Sequence, residues 1–201
     1  MSSVHTALLY IQQNWFELTA LVISILGVWL TALEKTINWP VNILACVLYG
    51  ILFYLSGIYL DASLQIFFIV FSIYGWYLWT RKDSNKHETL LISNISLKTF
   101  LILITIGMPV TVLSAYILGH FFNSTIPYFD ATTTVLSLIA TWMAAKKHIE
   151  SWLVWILTDL IYIPEYLIKH LYPTALLYFI FTLLAVYGYF EWRKLRKKSS
   201  V

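Results

Sequence analysis

Charged residues, cysteine and metal-binding clusters are all scarce in this chain. Only 11% of its 201 residues are charged and 60% are hydrophobic, whereas soluble domains carry about 25% charged residues. A water-soluble globular domain is therefore excluded. The single cysteine, Cys46, cannot form an intramolecular disulfide and reads as a small apolar filler. The five histidines, His5, His87, His120, His148 and His170, have no second His or Cys at ligand spacing, which argues against a catalytic metal. No glycine-rich loop leads into Lys-Ser or Lys-Thr, so ATP hydrolysis by the P-loop route is excluded. No lysine lies between Pro173 and Trp192, where a seven-span light-driven pump needs one for retinal. No pair of residues reads as a nucleophile with its base. The chain is predicted not to be an enzyme and to need no cofactor.

Apolar sequence, by contrast, is abundant. Runs long enough to cross a bilayer, which takes about 20 residues, occur near 16–33, 39–58, 62–80, 99–122, 129–145, 152–168 and 173–192. The predicted fold class is an all-α integral membrane protein with seven transmembrane helices. Charges and turn formers mark the breaks, and only the connection at 81–97 is long enough to hold more than a turn or two. The N-terminus lacks the basic leader and small-residue cleavage site of a secretory signal, so no processing is expected. Residues 4–16 read as a short amphipathic interfacial helix.

Residues 19–79 and 132–192 align without a gap at an offset of 113. The matches include Trp29/Trp142, Trp39/Trp152, Tyr49/Tyr162, Tyr74/Tyr187, Gly75/Gly188 and Trp79/Trp192, which composition bias does not readily produce. The chain is a tandem duplication. A three-span unit reverses sides, so a second copy in the same orientation needs one extra span. Residues 99–122, which have no repeat mate, supply it. The expected architecture is two parallel three-helix repeats joined by a linking helix, 3+1+3, with the halves related by an axis along the membrane normal. The boundaries are 1–15 for an external N-terminal interfacial segment, 16–80 for repeat 1, 81–98 for a cytoplasmic loop, 99–122 for the linker, 128–192 for repeat 2 and 193–201 for a basic cytoplasmic tail.

Alternating sides along these spans puts twelve of the thirteen Lys and Arg on one side, with Lys169 alone on the other. Basic residues accumulate on the cytoplasmic side, so the C-terminus is predicted to be cytoplasmic and the N-terminus external. The net charge of +3 expresses that bias and is not a nucleic-acid patch.

Identities between repeats report shared scaffold, and Gly75 and Gly188 read as close-packing points. Polar residues facing apolar mates report asymmetric work. In the sixth span Trp155 is mated with Asn42, Asp159 with Cys46, Pro164 with Ile51 and Glu165 with Leu52, while Gln65 in the third span is mated with Tyr178. An ionisable group inside a span costs about 2.5–3.5 kcal/mol, which directs Asp159 toward the bundle interior. Trp152, Trp155, Asp159, Tyr162 and Tyr166 recur at steps of three and four, along one helical stripe. Asp159 lies about 10 Å deeper than Trp152. Aromatic rings above a carboxylate suit a flat, positively charged ring by stacking, cation–π attraction and counter-charge. The candidate substrate-binding residues are Trp152, Trp155, Asp159, Tyr162, Tyr166, Gln65 and Asn42; no metal-binding residue is expected.

Each has a plainer reading. Trp39 and Trp192, at span ends, are expected in an aromatic belt. Asp159 fits a structural lock as well as a ligand contact, but no Lys or Arg lies deep in any span. Gln65 fits an ordinary interhelical bond, Glu165 a solvated external rim, and Pro164 a kink.

The stretches Leu64-Gln65-Ile66-Phe67-Phe68, Ser72-Ile73-Tyr74-Gly75-Trp76-Tyr77-Leu78-Trp79 and Trp152-Leu153-Val154-Trp155-Ile156-Leu157-Thr158-Asp159 resemble the PnuC family of bacterial vitamin transporters, whose sixth-span signature is Trp-x-x-Trp-x-x-x-Asn/Asp. The resemblance runs from about residue 19 to 193. It implies a multi-pass protein of the bacterial inner membrane that lets an unphosphorylated vitamin equilibrate by facilitated diffusion, with a separate cytoplasmic kinase trapping it. Nicotinamide riboside is the family's usual substrate, and relatives carry thiamine or riboflavin. By this resemblance Trp152, Trp155 and Asp159 are signature binding residues, Gln65 lies opposite them, and the assembly is a homotrimer. Many nicotinamide riboside carriers have Asn where this chain has Asp159, which leaves thiamine as the alternative substrate. A membrane sensor or assembly subunit, with the stripe gripping a partner helix, is the reading from another class.

Overall fold

The fold is that of a computed structural model, which describes residues 2–55, 59–81, 90–122, 126–168 and 172–199, with side chains from residue 15 onward except those of Tyr59, Leu60, Glu165, Ile168, Tyr172, Pro173 and Ser199. The side chain of Glu165 and residues His87, Lys169 and His170 lie outside that description, as does the side chain of His5. The described residues form seven helices: α1 (Ser2–Ala32), α2 (Asn38–Leu55), α3 (Tyr59–Thr80), α4 (Leu97–Phe121), α5 (Pro127–Ala145), α6 (Ser151–Ile168) and α7 (Tyr172–Ser199). The 3+1+3 architecture is what they build. Helix α1 packs on α2, α2 on α3, α3 on α5, α5 on α6, α6 on α7, and α7 returns to α1. Six helices thus close a ring, and α4 packs outside it on α5 alone. The offset of 113 carries α1, α2 and α3 onto α5, α6 and α7, and each ring neighbour onto a ring neighbour. A twofold axis down the centre of the ring requires that, and it sets α2 opposite α6.

Position in the ring explains the unequal polarity of the helices. Five helices are long and apolar enough to cross a membrane on those grounds alone, α4 being the most apolar with a mean hydropathy of 2.2. Helix α5 is covered by α3, α4 and α6, so little of it faces lipid. It accordingly buries small and hydroxyl-bearing residues, among them Ala131, Thr133, Ser137, Ala140 and Ala144. The Thr133 hydroxyl donates to the Phe129 carbonyl at 2.9 Å, which satisfies it within its own helix.

The two repeats end their first helix identically. At the α1–α2 turn Lys35 N donates to Leu30 O and Glu34 N to Thr31 O, and at the α5–α6 turn His148 N donates to Met143 O and Lys147 N to Ala144 O. These are the bonds of a helix C-cap with one left-handed residue, ordinarily glycine. Here the left-handed residues are Glu34 (φ 57°) and Lys147 (φ 55°). A side chain in that conformation costs roughly 1–2 kcal/mol.

Trp39, Trp79, Trp152 and Trp192 form the core at this end of the bundle. Trp39 stands edge-on to Trp79 (5.3 Å, 88°), Trp152 edge-on to Trp192 (5.4 Å, 87°), and Trp79 meets Trp192 at 6.0 Å. The expected belt role of Trp39 and Trp192 is therefore wrong. Their exposures are 2% and 0%, and a residue in a lipid-facing belt is not covered on all sides. Trp79 Nε1 donates to Ala145 O at 3.2 Å, and Trp192 Nε1 to Thr31 O at 3.1 Å. Each repeat's third helix thus clasps the end of the other repeat's first helix. Gly75 and Gly188 act as the expected packing points, since a Cβ at Gly188 would stand 2.7 Å from Trp152 Cε2 and Cζ2, and one at Gly75 would overlap Trp39.

Three segments are continuous with the bundle or docked on it. Residues 4–16 are not a separate interfacial helix but the first turns of α1, which runs unbroken from Ser2 because no Gly or Pro interrupts it before Gly27. The basic residues from Arg193 to Lys198 extend α7 rather than trailing as a tail. Part of the 81–98 connection is docked on the α5–α6 turn: Ser93 N donates to Lys147 O, Ile149 N to Ser93 O, and Ile95 N to Glu150 Oε2 at 2.9 Å. Ser93 Oγ also lies 3.1 Å from His148 Nδ1.

Candidate substrate site

Helix α6 presents one face outward and one inward. Leu153, Leu157, Leu160 and Leu167 are exposed, as expected for side chains that meet lipid. The opposite stripe carries Trp152, Trp155 and Asp159. Trp152 lies on Gly188 against Trp192 as Trp39 lies on Gly75 against Trp79, so its ring is part of the shared scaffold as well as the floor of the stripe. Its Nε1 is buried and, like that of Trp39, has no hydrogen-bond partner among the described residues. Trp155, one turn further, is half-buried and packs against the tryptophan core.

Asp159 is 3% exposed. Among the described residues its carboxylate has no hydrogen bond and no ion pair, and the Lys and Arg described there all sit at the helix ends. The structural lock weighed for Asp159 is thus not built. Thr158 beside it is self-satisfied, its hydroxyl donating to Val154 O at 2.8 Å. Beyond Asp159, Tyr162 and Tyr166 stack with Tyr178 of α7, at 4.3 Å and 29° and at 5.2 Å and 8°. Asp159 lies within electrostatic reach of Tyr178. In the sequence Tyr178 stands only as the mate of Gln65 and not as a candidate itself. The mismatch of an aromatic with an amide was the available signal, read in one direction only.

The candidates from the other half are placed differently. Asn42 Nδ2 donates to Asn38 Oδ1 at 3.4 Å, and Asn42 Oδ1 fills the space a Cβ on Gly27 would take, which ties Asn42 to the α1–α2 seam. Gln65 is half-buried, and its Cβ would lie 3.6 Å from a Cβ on Gly50, which marks the α2–α3 seam. Neither α2 nor α3 packs on α6. Asn42 and Gln65 therefore stand across the ring from the α6 stripe instead of touching it. Tyr49 and Phe53, the mates of Tyr162 and Tyr166, stack at 5.6 Å, so both halves carry a ring pair, while only repeat 2 adds the carboxylate and the third tyrosine.

No group of three or more His, Cys, Asp or Glu able to hold a metal occurs among the described residues. His120 is stacked on Tyr116 at 5.6 Å, and His148 is engaged with Ser93.

The chain is similar to known proteins. The chain is 27% identical over 203 residues to the nicotinamide riboside transporter PnuC of Escherichia coli (strain K12), covering 89% of this chain and 85% of that protein. It is 25% identical over 198 residues to the PnuC of Neisseria mucosa, covering 93% and 75%. The riboflavin/roseoflavin transporter RibM of Streptomyces davaonensis is 23% identical over 184 residues, covering 89% and 84%. The crystal structure of the vitamin B3 transporter PnuC superimposes with a TM-score of 0.77 at 21% identity, covering 96% of this chain and 87% of that one, which shows a common fold. The family profile described as nicotinamide mononucleotide transporter matches residues 14–194, and the chain belongs to that transporter family.

Proposed function

We propose that this protein is a uniporter for a vitamin with a positively charged ring, nicotinamide riboside, bound once per chain between the α6 stripe and the facing half of the ring. The observation that carries the proposal is Asp159, a buried carboxylate among aromatic rings, with no hydrogen bond or ion pair to any described residue. A quaternary ring nitrogen supplies the missing counter-charge, and the rings of Trp155 and Tyr162 offer stacking faces. On this reading Asn42 and Gln65, on the facing half of the ring, would turn from the α1–α2 and α2–α3 seams to hydrogen-bond the sugar hydroxyls. Trp152 supports the floor. A phosphate fits poorly, because it would face Asp159 with no described Lys or Arg among these residues. That favours the riboside over the mononucleotide of the family's description.

Thiamine is the second reading, because it also carries a quaternary ring nitrogen that Asp159 would pair. Neutral riboflavin, whose carrier is among the relatives, would leave the carboxylate unpaired.

Basic residues cluster at the end of the bundle that bears the α1–α2 and α5–α6 turns, and we take that end as cytoplasmic. Asp159 is the one charged side chain described on α6, which supports passive equilibration; trapping by a separate cytoplasmic kinase follows from the family resemblance. Uptake of labelled nicotinamide riboside into proteoliposomes tests the reading. Saturable flux that is indifferent to a protonophore is expected. Binding without flux would favour a sensor, and a loss of flux with the protonophore would overturn uniport.

A further inference from the structure

Outside the candidate substrate site, the two repeats meet at the turns of the basic end. Glu34 and Lys147 are separated by 113 residues, so they occupy one and the same position in the two repeats. Both are the left-handed residues that end their helices, where glycine would be free of strain. Both nevertheless carry long charged side chains. Those side chains meet, with Lys147 Nζ 2.7 Å from Glu34 Oε1. A contact between equivalent points of two halves related by a twofold axis must lie on that axis. The ion pair therefore sits at the centre of the ring, where a transport path between the repeats would leave it.

Its surroundings close the same region. Lys147 Nζ lies 4.5 Å from the centre of the Trp79 ring, a cation–π distance. Trp79 and Trp192 meet beside it, and each donates to the opposite repeat's helix end. The Lys147 side chain is 5% exposed, whereas that of Glu34 is 28% exposed, so water reaches one partner and can replace the bond. Identical residues at this position would set like charges against each other. The duplicated chain instead carries an acid in one copy and a base in the other.

We infer that Glu34 and Lys147 form a latch between the two repeats that closes the basic end of the transport path and must open for substrate to pass. The inference rests on the transport reading above but not on the identity of the vitamin. A purely structural rivet would need neither opposite charges nor strained backbone at both positions. Rocking of one repeat against the other requires a contact on the axis that is made and broken.

Cys46, the only cysteine, is a ready probe. It holds in α2 the position that Asp159 holds in α6, so symmetry places it toward the same interior. The full chain, in membrane vesicles of each orientation, is treated with a membrane-impermeant thiol reagent. From the basic end, Cys46 labelling is expected to rise about tenfold in K147M, and less in E34Q, where Lys147 keeps Trp79 as a neighbour. The exchanged pair E34K/K147E is expected to return labelling toward the native rate, because symmetry offers Trp192 to the new lysine as Trp79 serves the old one. Labelling from the other end should not rise. Unchanged labelling in E34Q and K147M, with vitamin binding retained, would overturn the latch, as would an exchanged pair no better than the single variants. A protein that binds no vitamin but shows the labelling pattern would retain the latch and lose the substrate assignment.

Discussion

Replacing Gly188 by Ala tests the packing that holds the α6 stripe in place. The new Cβ would stand 2.7 Å from two atoms of the Trp152 indole, where ordinary contact is near 3.5 Å. The ring must move by about 1 Å, and it has little room, because Trp192 stands against it at 5.4 Å and is 0% exposed. Overpacking of this kind costs about 1–3 kcal/mol, and alanine's better helix propensity returns about 1 kcal/mol. The net loss is then about 1 kcal/mol, or about 2–4 °C in Tm for a chain of this length. Thermal unfolding of the purified protein reads this directly. A Trp152→Leu background removes the indole, and there Gly188→Ala should be neutral or stabilising, a coupling of at least ~1 kcal/mol. Gly75→Ala should be more harmful, because Trp39 approaches that glycine more closely. If Gly188→Ala were as stable as the native chain in the presence of Trp152, the account of this packing would be wrong.

Trp79→Phe and Trp192→Phe each remove one hydrogen bond between the repeats and should cost about 1 kcal/mol apiece, seen as similar falls in Tm. Asp159→Asn should weaken nicotinamide riboside at least tenfold more than a neutral-ring analogue in a binding assay; equal losses would tell against a counter-charge role. His148 has its pKa lowered from 6.5, first by burial, with Glu150 opposing and Lys146 adding to the fall. Neutral His148 is thus favoured by the fold, and its contribution to the Ser93 clasp is complete above about pH 6.5 and lost as pH falls through its lowered pKa. Hydrogen-exchange protection of residues 90–96, after correction for the intrinsic slowing of amide exchange in acid, should fall below pH 6.5 in the native chain and be less pH-dependent in His148→Gln.

Much of the architecture is legible in the 113-residue repeat, because identical large residues and one unmatched span determine the 3+1+3 order. Position along a span does not determine which way a side chain points. Trp39 and Trp192 were therefore open to a lipid-facing reading, although the Trp39/Trp152 and Gly75/Gly188 matches recur together and tryptophan on glycine is an interior arrangement. The same symmetry recasts Trp152 as shared scaffold, packed on Gly188 and Trp192. Asp159 was legible because a carboxylate opposite a cysteine is costly in lipid. Tyr178 was not, because its ring meets Tyr162 and Tyr166 only through the packing of α7 on α6. Glu34 and Lys147 are not legible in this way, because the pair lies in the turns and not within a span, and its meeting depends on a backbone conformation that sequence does not announce.

The most direct test of the central claim is calorimetry of one protein preparation against nicotinamide riboside, thiamine and riboflavin. The account predicts saturable binding of nicotinamide riboside, or of thiamine in its place, at one molecule per chain, with riboflavin weakest. Riboflavin binding tightest, or neither cationic vitamin binding, would contradict it.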